Sequence, residues 1–198
     1  MIKLILEFKT AKKFSIGSGG LPIKTIADVT FPRLLDRPFI PATTIKGVLR
    51  TSMIRVAPLL GFEVSSSVHP TKIKDDRVTQ LMGKPNKNGK IRVYSAILDV
   101  DTFTLTHATI NDKSRVAKEH ALFTIEYIPK DIKFDIVIEA NDLTLDEARL
   151  LFAGIAEMRY ERIGKNGLMN IKISNNSTIP DDLRGDKVIS NILEVLMR

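Results

Sequence analysis

An α+β fold, with helices covering one face of an antiparallel sheet, is what this sequence predicts. Three observations carry the prediction. The chain opens on an alternating apolar segment, holds two stretches at helical spacing, and orders its elements as strand, helix, strands, helix, strand. With 198 residues, 43% of them hydrophobic, it can bury a genuine core, and it reads as one domain over 1–198.

Ile2, Leu4, Leu6 and Phe8 alternate with Lys3, Ile5, Glu7 and Lys9, which predicts a first strand with one apolar face. Ile16-Gly-Ser-Gly-Gly20 breaks it into a loop reaching Pro41, punctuated by prolines at 22, 32 and 38. With Thr43 or Thr44 as N-cap, a helix runs to about Leu60 and stops at Gly61. Its stripe is Ile45, Leu49, Met53, Val56 and Leu60. Residues 62–90 read as a polar, loop-rich insertion holding Ser65-Ser66-Ser67 and the basic run Gly83 to Lys90. Ile91 to Leu98 reads as a strand, and residues 107–120 as a polar, projecting arm.

Ala121 to Ile128 and Ile132 to Ala140 read as two strands joined in a hairpin at Pro129-Lys130-Asp131. Thr144-Leu-Asp-Glu147 is a capping box opening a second helix, which is expected to bury Leu145, Ala148, Leu151, Phe152 and Ile155. Gly164 to Gly167 then turns the chain into a strand from Leu168 to Ile173, and the tail from Asp186 is a short packed helix. This order is the ferredoxin-like plan, also used by RNA-recognition motifs; a two-helix sandwich of another topology is the alternative.

Lys and Arg outnumber Asp and Glu by 30 to 23, a net +7 that favours nucleic acid or another acidic surface as partner. The lack of cysteine excludes disulfides, thiolate catalysis and cysteine-held zinc, and fits the cytoplasm. His69, His107 and His120 lack metal-ligand spacing. With 3 Tyr, 9 Phe and no Trp, base stacking on exposed aromatics is not the expected binding mode. No apolar run approaches the ~20 residues of a membrane span, and no signal-peptide pattern opens the chain.

Two stretches concentrate the candidate chemistry. In Phe39-Ile-Pro-Ala-Thr-Thr-Ile-Lys-Gly-Val-Leu-Arg50, Lys46 and Arg50 stand one helical turn apart with Gly47 between them. That pair suits successive phosphates, and an ordinary solvated basic face is the bland alternative. Gly47 reads as a place where another backbone comes close, because an interior helical glycine costs ~1 kcal/mol. The second stretch, Arg162-Ile-Gly-Lys-Asn-Gly167, is a glycine-punctuated basic loop. Both are expected to set backbone N–H groups beside cations, as a polyanion site does.

Taken in order, Ile16-Gly-Ser-Gly, the Phe39–Arg50 element, the strand ending Glu126-Tyr-Ile-Pro129 and the Arg162–Gly167 loop resemble the RAMP superfamily of CRISPR-associated RNA-binding proteins. The chain is most similar to the backbone subunit of type III effector complexes. It departs from that pattern at Ala42, where the family commonly has Gly, at Asn166 (family Arg) and at Met169 (family Gly).

The resemblance implies a subunit that polymerises along guide RNA, with copies of itself and other effector subunits as partners. It would cut paired target RNA at regular intervals with a weakly held divalent metal, Mg²⁺ being the expected ion. On this resemblance Asp28 is the catalytic residue, with a capping aspartate as the bland reading. Gly17, Ser18, Gly19, Lys46, Gly47, Arg50, Arg162, Gly164, Lys165, Asn166 and Gly167 would contact RNA. Ile110, Asn111, Lys113 and Arg115 would belong to a thumb that wedges between bases. A non-catalytic structural paralogue and a metal-independent guide-processing ribonuclease are the alternatives it leaves.

Overall fold

The computed structural model describes residues 1–18, 27–64, 75–110, 112 and 114–198. Gly19, Asn111, Lys113 and His69 therefore lie outside the described residues, as does the 65–74 part of the expected insertion.

The main sheet is built from β1 (Ile2–Thr10), β4 (Ile91–Val93), β8 (Lys133–Ala140) and β9 (Met169–Ile173), ordered β4-β8-β1-β9 with every neighbouring pair antiparallel. With α1 (Ala42–Val56) between β1 and β4, and α3 (Leu145–Glu157) between β8 and β9, the chain traces strand–helix–strand–strand–helix–strand. That connection and strand order are the ferredoxin-like plan. The alternation in β1 sends Ile2, Leu4, Leu6 and Phe8 inward, against Ile45, Leu49 and Met53 of α1 and Leu151, Phe152 and Ile155 of α3 within one core.

The outward face of this sheet is charged. Glu7 stands opposite Asp135, and Lys9 opposite Lys133. Directly opposed like charges weaken a strand pair. Lys9 relieves part of this by bonding Asp131 at 3.0 Å.

Helix α1 starts earlier than the sequence indicates. Pro41, not Thr43 or Thr44, is its N-cap, and no side chain caps it from within. Ser95 Oγ instead accepts the Ala42 N–H at 2.9 Å. The α-helix ends at Val56 and continues as a 3₁₀ turn over Ala57–Leu60 until Gly61, whose φ of 79° stops it. Gly154 on α3 lets the two helices close up, since a Cβ there would fall on the Met53 side chain. The expected capping box at Thr144 and Glu147 is present. Lys90 Nζ donates to both oxygens of the buried Glu147, at 2.9 and 2.7 Å, tying β4 to the start of α3. Leu145, expected inside, is 42% exposed.

Three elements have no clear signal in the sequence. Strands β2 (Arg33–Leu34) and β3 (Arg37–Ile40) fold within the stretch expected as loop, and pair with β5 (Ala96–Ile97) in a small sheet of order β2-β3-β5. Helix α2 (Arg77–Met82), capped by Asp76, buries Val78, Leu81 and Met82 inside the stretch expected as polar insertion.

The expected hairpin between the strands before and after Pro129 is not formed. Strand β7 (Ala117–Tyr127) pairs with β6 (Phe103–Ile110), while β8 pairs with β1 and β4. The turn at 129–131 thus changes sheets, because Asp131 N–H and the Ile132 carbonyl bond to Thr10 at the end of β1. The arm expected over 107–120 is the far half of this β6–β7 hairpin, and Ile110, Arg115, Val116 and Leu122 on it are all exposed.

The chain closes with α4 (Asp181–Arg184) and α5 (Lys187–Met197). Asp186 caps α5 by accepting the N–H groups of Val188 and Ile189, and also accepts Arg149 of α3 at 2.6 Å. Arg149 first, and then the Ile189 N–H, hold the pKa of its carboxyl at about 2. A folded value below the unfolded one, about 3.9, makes this interaction stabilising above about pH 4 and weakens it as pH falls through the folded value. Asp186→Asn is expected to flatten the fall in melting temperature between pH 4 and 2, which thermal denaturation across that range measures.

Candidate nucleic-acid interface

The basic face of α1 does not stand alone. Lys46 and Arg50 line a cleft of about 370 Å³ together with Met82 and the loop Gly83 to Gly89, which contributes Lys84 and Lys87. The Arg50 guanidinium donates to the Gly83 carbonyl at 2.5 Å. A tight turn with reciprocal bonds between the backbones of Lys84 and Lys87 presents both lysines. Half-burial lowers the Lys46 ammonium below its ordinary value, and the neighbouring Arg50 charge lowers it further. Burial also lowers Arg50, with Asp76 acting the other way. Asp75 lies between Lys84 and Lys87, at 3.7 and 3.6 Å. Among the described residues four cations thus face two carboxylates, an arrangement that an incoming phosphate would balance.

Lys84 and Lys87 are visible in the sequence as part of a basic run, but nothing local ties that run to α1. Gly47 is exposed, and no atom beyond its own stretch of helix lies within 4 Å of where its Cβ would be, so no described segment of this chain makes the close approach expected there. Arg55, further along α1, is bonded to Glu157 and Glu161 and fastens that end of the helix to the end of α3.

The remaining candidates gather at the root of the β6–β7 hairpin. The edge of β7 away from β6 receives two segments. Phe14 exchanges backbone bonds with Ile128, and Val29 bonds to Thr124 and Glu126. From Phe14 the chain runs to Ser15, which exchanges two backbone bonds with Lys165, so that Gly17, Ser18 and the Arg162–Gly167 loop become neighbours. Ser18 is held to Thr30 through its N–H and its hydroxyl.

Within the loop, Gly164 has φ 63° and a Cβ there would strike the Ser15 carbonyl; one at Gly167 would strike Ile163. Asn166 also sits in the left-handed region, at φ 65°, where Asn is among the better-tolerated residues. The N–H groups of Ile163, Lys165 and Leu168 are consumed by Gly167, Ser15 and Asn166. Part of the expected floor of free amides is therefore spent on the fold. Arg162, Lys165 and Asn166 also present exposed side chains.

Asp28 lies on this same root. Its Oδ2 accepts the Thr124 N–H at 2.6 Å and the Thr124 hydroxyl is 3.0 Å away, while its own N–H donates to Thr124 Oγ1. These bonds, the backbone one foremost, hold the exposed carboxyl below the ordinary aspartate range. The following residues are anchored by the buried Glu126, which accepts the Phe31 N–H at 2.7 Å and also Arg33 and Thr102. Burial would raise the Glu126 carboxyl, but those donors together outweigh it and leave it lowered.

On the hairpin, Phe103, His107, Phe123 and Tyr127 fall on one face by register. Phe103 stacks on Tyr127, His107 on Phe123, and the His107 Nε2 meets the Tyr127 hydroxyl at 3.0 Å. Lys13 lies over Tyr127 and Lys165 over Phe123, at 5.4 and 5.5 Å from the ring centroids. Composition argues against a stacking surface, yet four rings scattered in sequence meet here in a row. No hydrogen bond or ion pair among the described residues connects this root with the Lys46 cleft.

As a metal site the root offers, among the described residues, one exposed carboxylate, Asp28, with one oxygen already engaged; Glu126 is buried and taken up by its own donors. Among the described residues no three His, Asp or Glu side chains come together to hold an ion. A hydrated Mg²⁺ shared with RNA phosphates needs few protein ligands, so Asp28 fits that weak mode and not a tight cage. The hydrogen bonds predict that a ¹³C titration finds the Asp28 midpoint below about 3.9, the ordinary aspartate value. Thr124→Val should move it upward; a wild-type midpoint at or above the ordinary value contradicts the geometry.

No helix of the described residues is long and apolar enough to cross a membrane. No curated protein matches the chain. The model of the RAMP superfamily matches residues 15–167, from the Ser15 strip through α1 and the hairpin to the end of the glycine loop. That match covers more than half of the sequence, and the chain belongs to the RAMP superfamily, whose members are CRISPR-associated RNA-binding proteins.

Proposed function

We propose that this chain is the backbone subunit of a type III CRISPR effector complex, repeated along a guide RNA and cutting the paired target RNA at regular intervals. The observation that carries the reading is the cleft in which Lys46, Arg50, Lys84 and Lys87 converge beside an exposed helical glycine. Such a site grips ribose-phosphate without reading bases, so sequence choice would fall to guide–target pairing. Arg162, Lys165 and Asn166, with Gly17 and Ser18 beside them, would form a second contact on the strand. The β6–β7 hairpin, with Ile110 and Arg115 near its tip, would serve as the thumb, an apolar wedge flanked by cations.

Asp28 is the proposed catalytic residue. Its bonds to Thr124 favour the carboxylate form and fix it at the hairpin root, where a strand passing Lys165 would lie. A divalent ion, when bound there, would neutralise charge building on the phosphate. The Asp28 carboxylate itself would orient a 2′-hydroxyl or accept its proton. Glu126 and Thr124 would act through Asp28 by holding its segment to β7.

A second reading has one observation behind it. His107 and Tyr127 share a hydrogen bond beside Lys13, a combination that suits metal-independent ribonuclease chemistry. Tyr127 is wholly buried and burial raises its phenol, so it would stay protonated and position His107 without touching RNA itself.

Two measurements test the main reading on the full chain with guide RNA. Lys46→Ala/Arg50→Ala should weaken binding at least about tenfold, since a hydrogen bond to a charged group is worth about 1.5–3 kcal/mol. It should also reduce the salt slope by roughly 1.4, or about 0.7 for each phosphate of single-stranded RNA that is no longer held. Unaltered affinity and slope would remove the cleft from the mechanism.

Asp28→Ala should leave binding intact and slow target cleavage about 10²- to 10⁴-fold in the presence of Mg²⁺. Cleavage that survives both this substitution and a chelator, yet disappears with His107→Ala, selects the ribonuclease reading. Periodic nuclease protection of guide RNA with no cleavage by any form selects a structural paralogue.

A further inference from the structure

A second cleft opens at the root of the hairpin; Asn166 is the residue it shares with the main reading, and Lys13 the one it shares with the ribonuclease reading. It has a volume of about 600 Å³ and lies between Ala11, Lys12 and Lys13, which follow β1, and the Pro129–Lys130 turn, with Phe103 and Asn166 completing the wall. Its lining combines three lysines, an amide and an aromatic ring, with no carboxylate.

The two halves of that lining ask for different things. Phe103 is 36% exposed, although its ring is stacked at 6.0 Å on Tyr127, which is wholly buried. The ring is thus braced from behind while remaining accessible. Lys12 and Lys13 form no ion pair among the described residues. Lys13 reaches back over the Tyr127 ring, and Lys130 is partly balanced by Asp131 at 3.9 Å, which is itself paired with Lys9. An apolar ligand would satisfy the ring and waste the ammonium groups. A bare phosphate would do the reverse. A nucleotide satisfies both, and a volume of this order accommodates one.

We propose that this cleft holds one unpaired nucleotide of the RNA, its base stacked on Phe103 and its flanking phosphates on Lys12, Lys13 and Lys130. Asn166, with an amide that can donate and accept, stands at the wall where a base edge would lie. The inference rests on the RNA-binding reading above and adds a position where the protein touches a base and not only the backbone. The base must be unpaired, because a ring stacks on a nucleobase face that duplex neighbours otherwise cover.

The probe is a single-stranded RNA carrying 5-bromouridine, photocrosslinked to the full chain and mapped by mass spectrometry, with the same RNA in duplex form as the comparison. A crosslink at Phe103 from the single strand and not from the duplex is expected. Phe103→Ala should weaken single-strand affinity about five- to a hundredfold, the range for removing one base–aromatic stack. Phe103→Trp should retain it, which separates stacking from damage to the fold. Lys12→Ala/Lys13→Ala/Lys130→Ala, all on exposed side chains, should lower the salt slope by about 0.7 for each phosphate released.

Absence of the crosslink together with unchanged affinity in the Phe103→Ala and triple-lysine variants overturns the proposal. If Lys46→Ala/Arg50→Ala still weakens binding in that case, the RNA-binding reading stands without it; if affinity ignores that pair too, both fail. Equal crosslinking from the duplex overturns the unpaired nucleotide. Variants that lose only association with other effector subunits assign the cleft to a protein partner and likewise overturn it.

Discussion

One strand edge organises everything at the hairpin root. From Thr124 to Ile128, β7 gives one side of its backbone to β6 and the other to Val29 and Phe14. Through Phe14 the edge reaches Ser15 and then Lys165, and through Val29 it reaches Asp28. A carboxylate, a glycine loop and an exposed arm, far apart in sequence, are thereby held to a common scaffold. Glu126 locks the arrangement from below. It is a buried carboxylate whose bonds to Phe31, Arg33 and Thr102 compensate for its loss of water, and a buried charge is tolerable only when compensated in that way.

The two cationic zones are built on different physics. At the α1 cleft, charge is crowded and partly desolvated: Lys46 and Arg50 are both lowered, chiefly by burial, and Asp75 and Asp76 only partly offset the four cations. At the hairpin root, Lys13 and Lys165 lie over aromatic faces, which accommodate a cation without neutralising it. Neither zone spreads onto the open face of the main sheet. There Glu7, Lys9, Lys133 and Asp135 alternate in sign, and a mixed surface of that kind gives a polyanion no continuous track.

Local patterns are legible in the sequence, and distant pairings are not. The alternation of Ile2 to Phe8, the stripe of Ile45, Leu49, Met53 and Val56, and the Thr144–Glu147 capping box each encode their element within a few residues, and each is present. The partner of β7 has no such local signature. Pro129-Lys130-Asp131 is a good turn, but a turn does not say which strand lies beyond it; the bonds from Asp131 and Ile132 to Thr10 decide that. The N-cap escapes a local reading for a related reason, because Ser95, 53 residues away, supplies the acceptor that Thr43 or Thr44 is expected to provide. Of the site, the Lys46–Arg50 pair and the glycine loop can be read directly. Lys84 and Lys87 show only as a basic run, and the row of Phe103, Tyr127, His107 and Phe123 emerges only once β6 and β7 are in register.

The glycines separate scaffold from candidate contact. Gly164 and Gly167 are demanded by the fold itself, since a methyl group at either would meet a neighbouring carbonyl, so their presence says little about a ligand. Gly47 is different. It lies inside α1, at an exposed position with open space where a side chain would go, and the fold would accept alanine there. Keeping glycine forgoes about 1 kcal/mol of helix propensity. Nothing within the described chain offsets that cost, and the residue sits beside Lys46 and one turn from Arg50. A backbone pressed flat against the helix, as the proposed phosphate strand would be, uses both the bare surface and the flanking charges. On that argument, a glycine dispensable to folding points to a ligand more directly than the two the fold cannot do without.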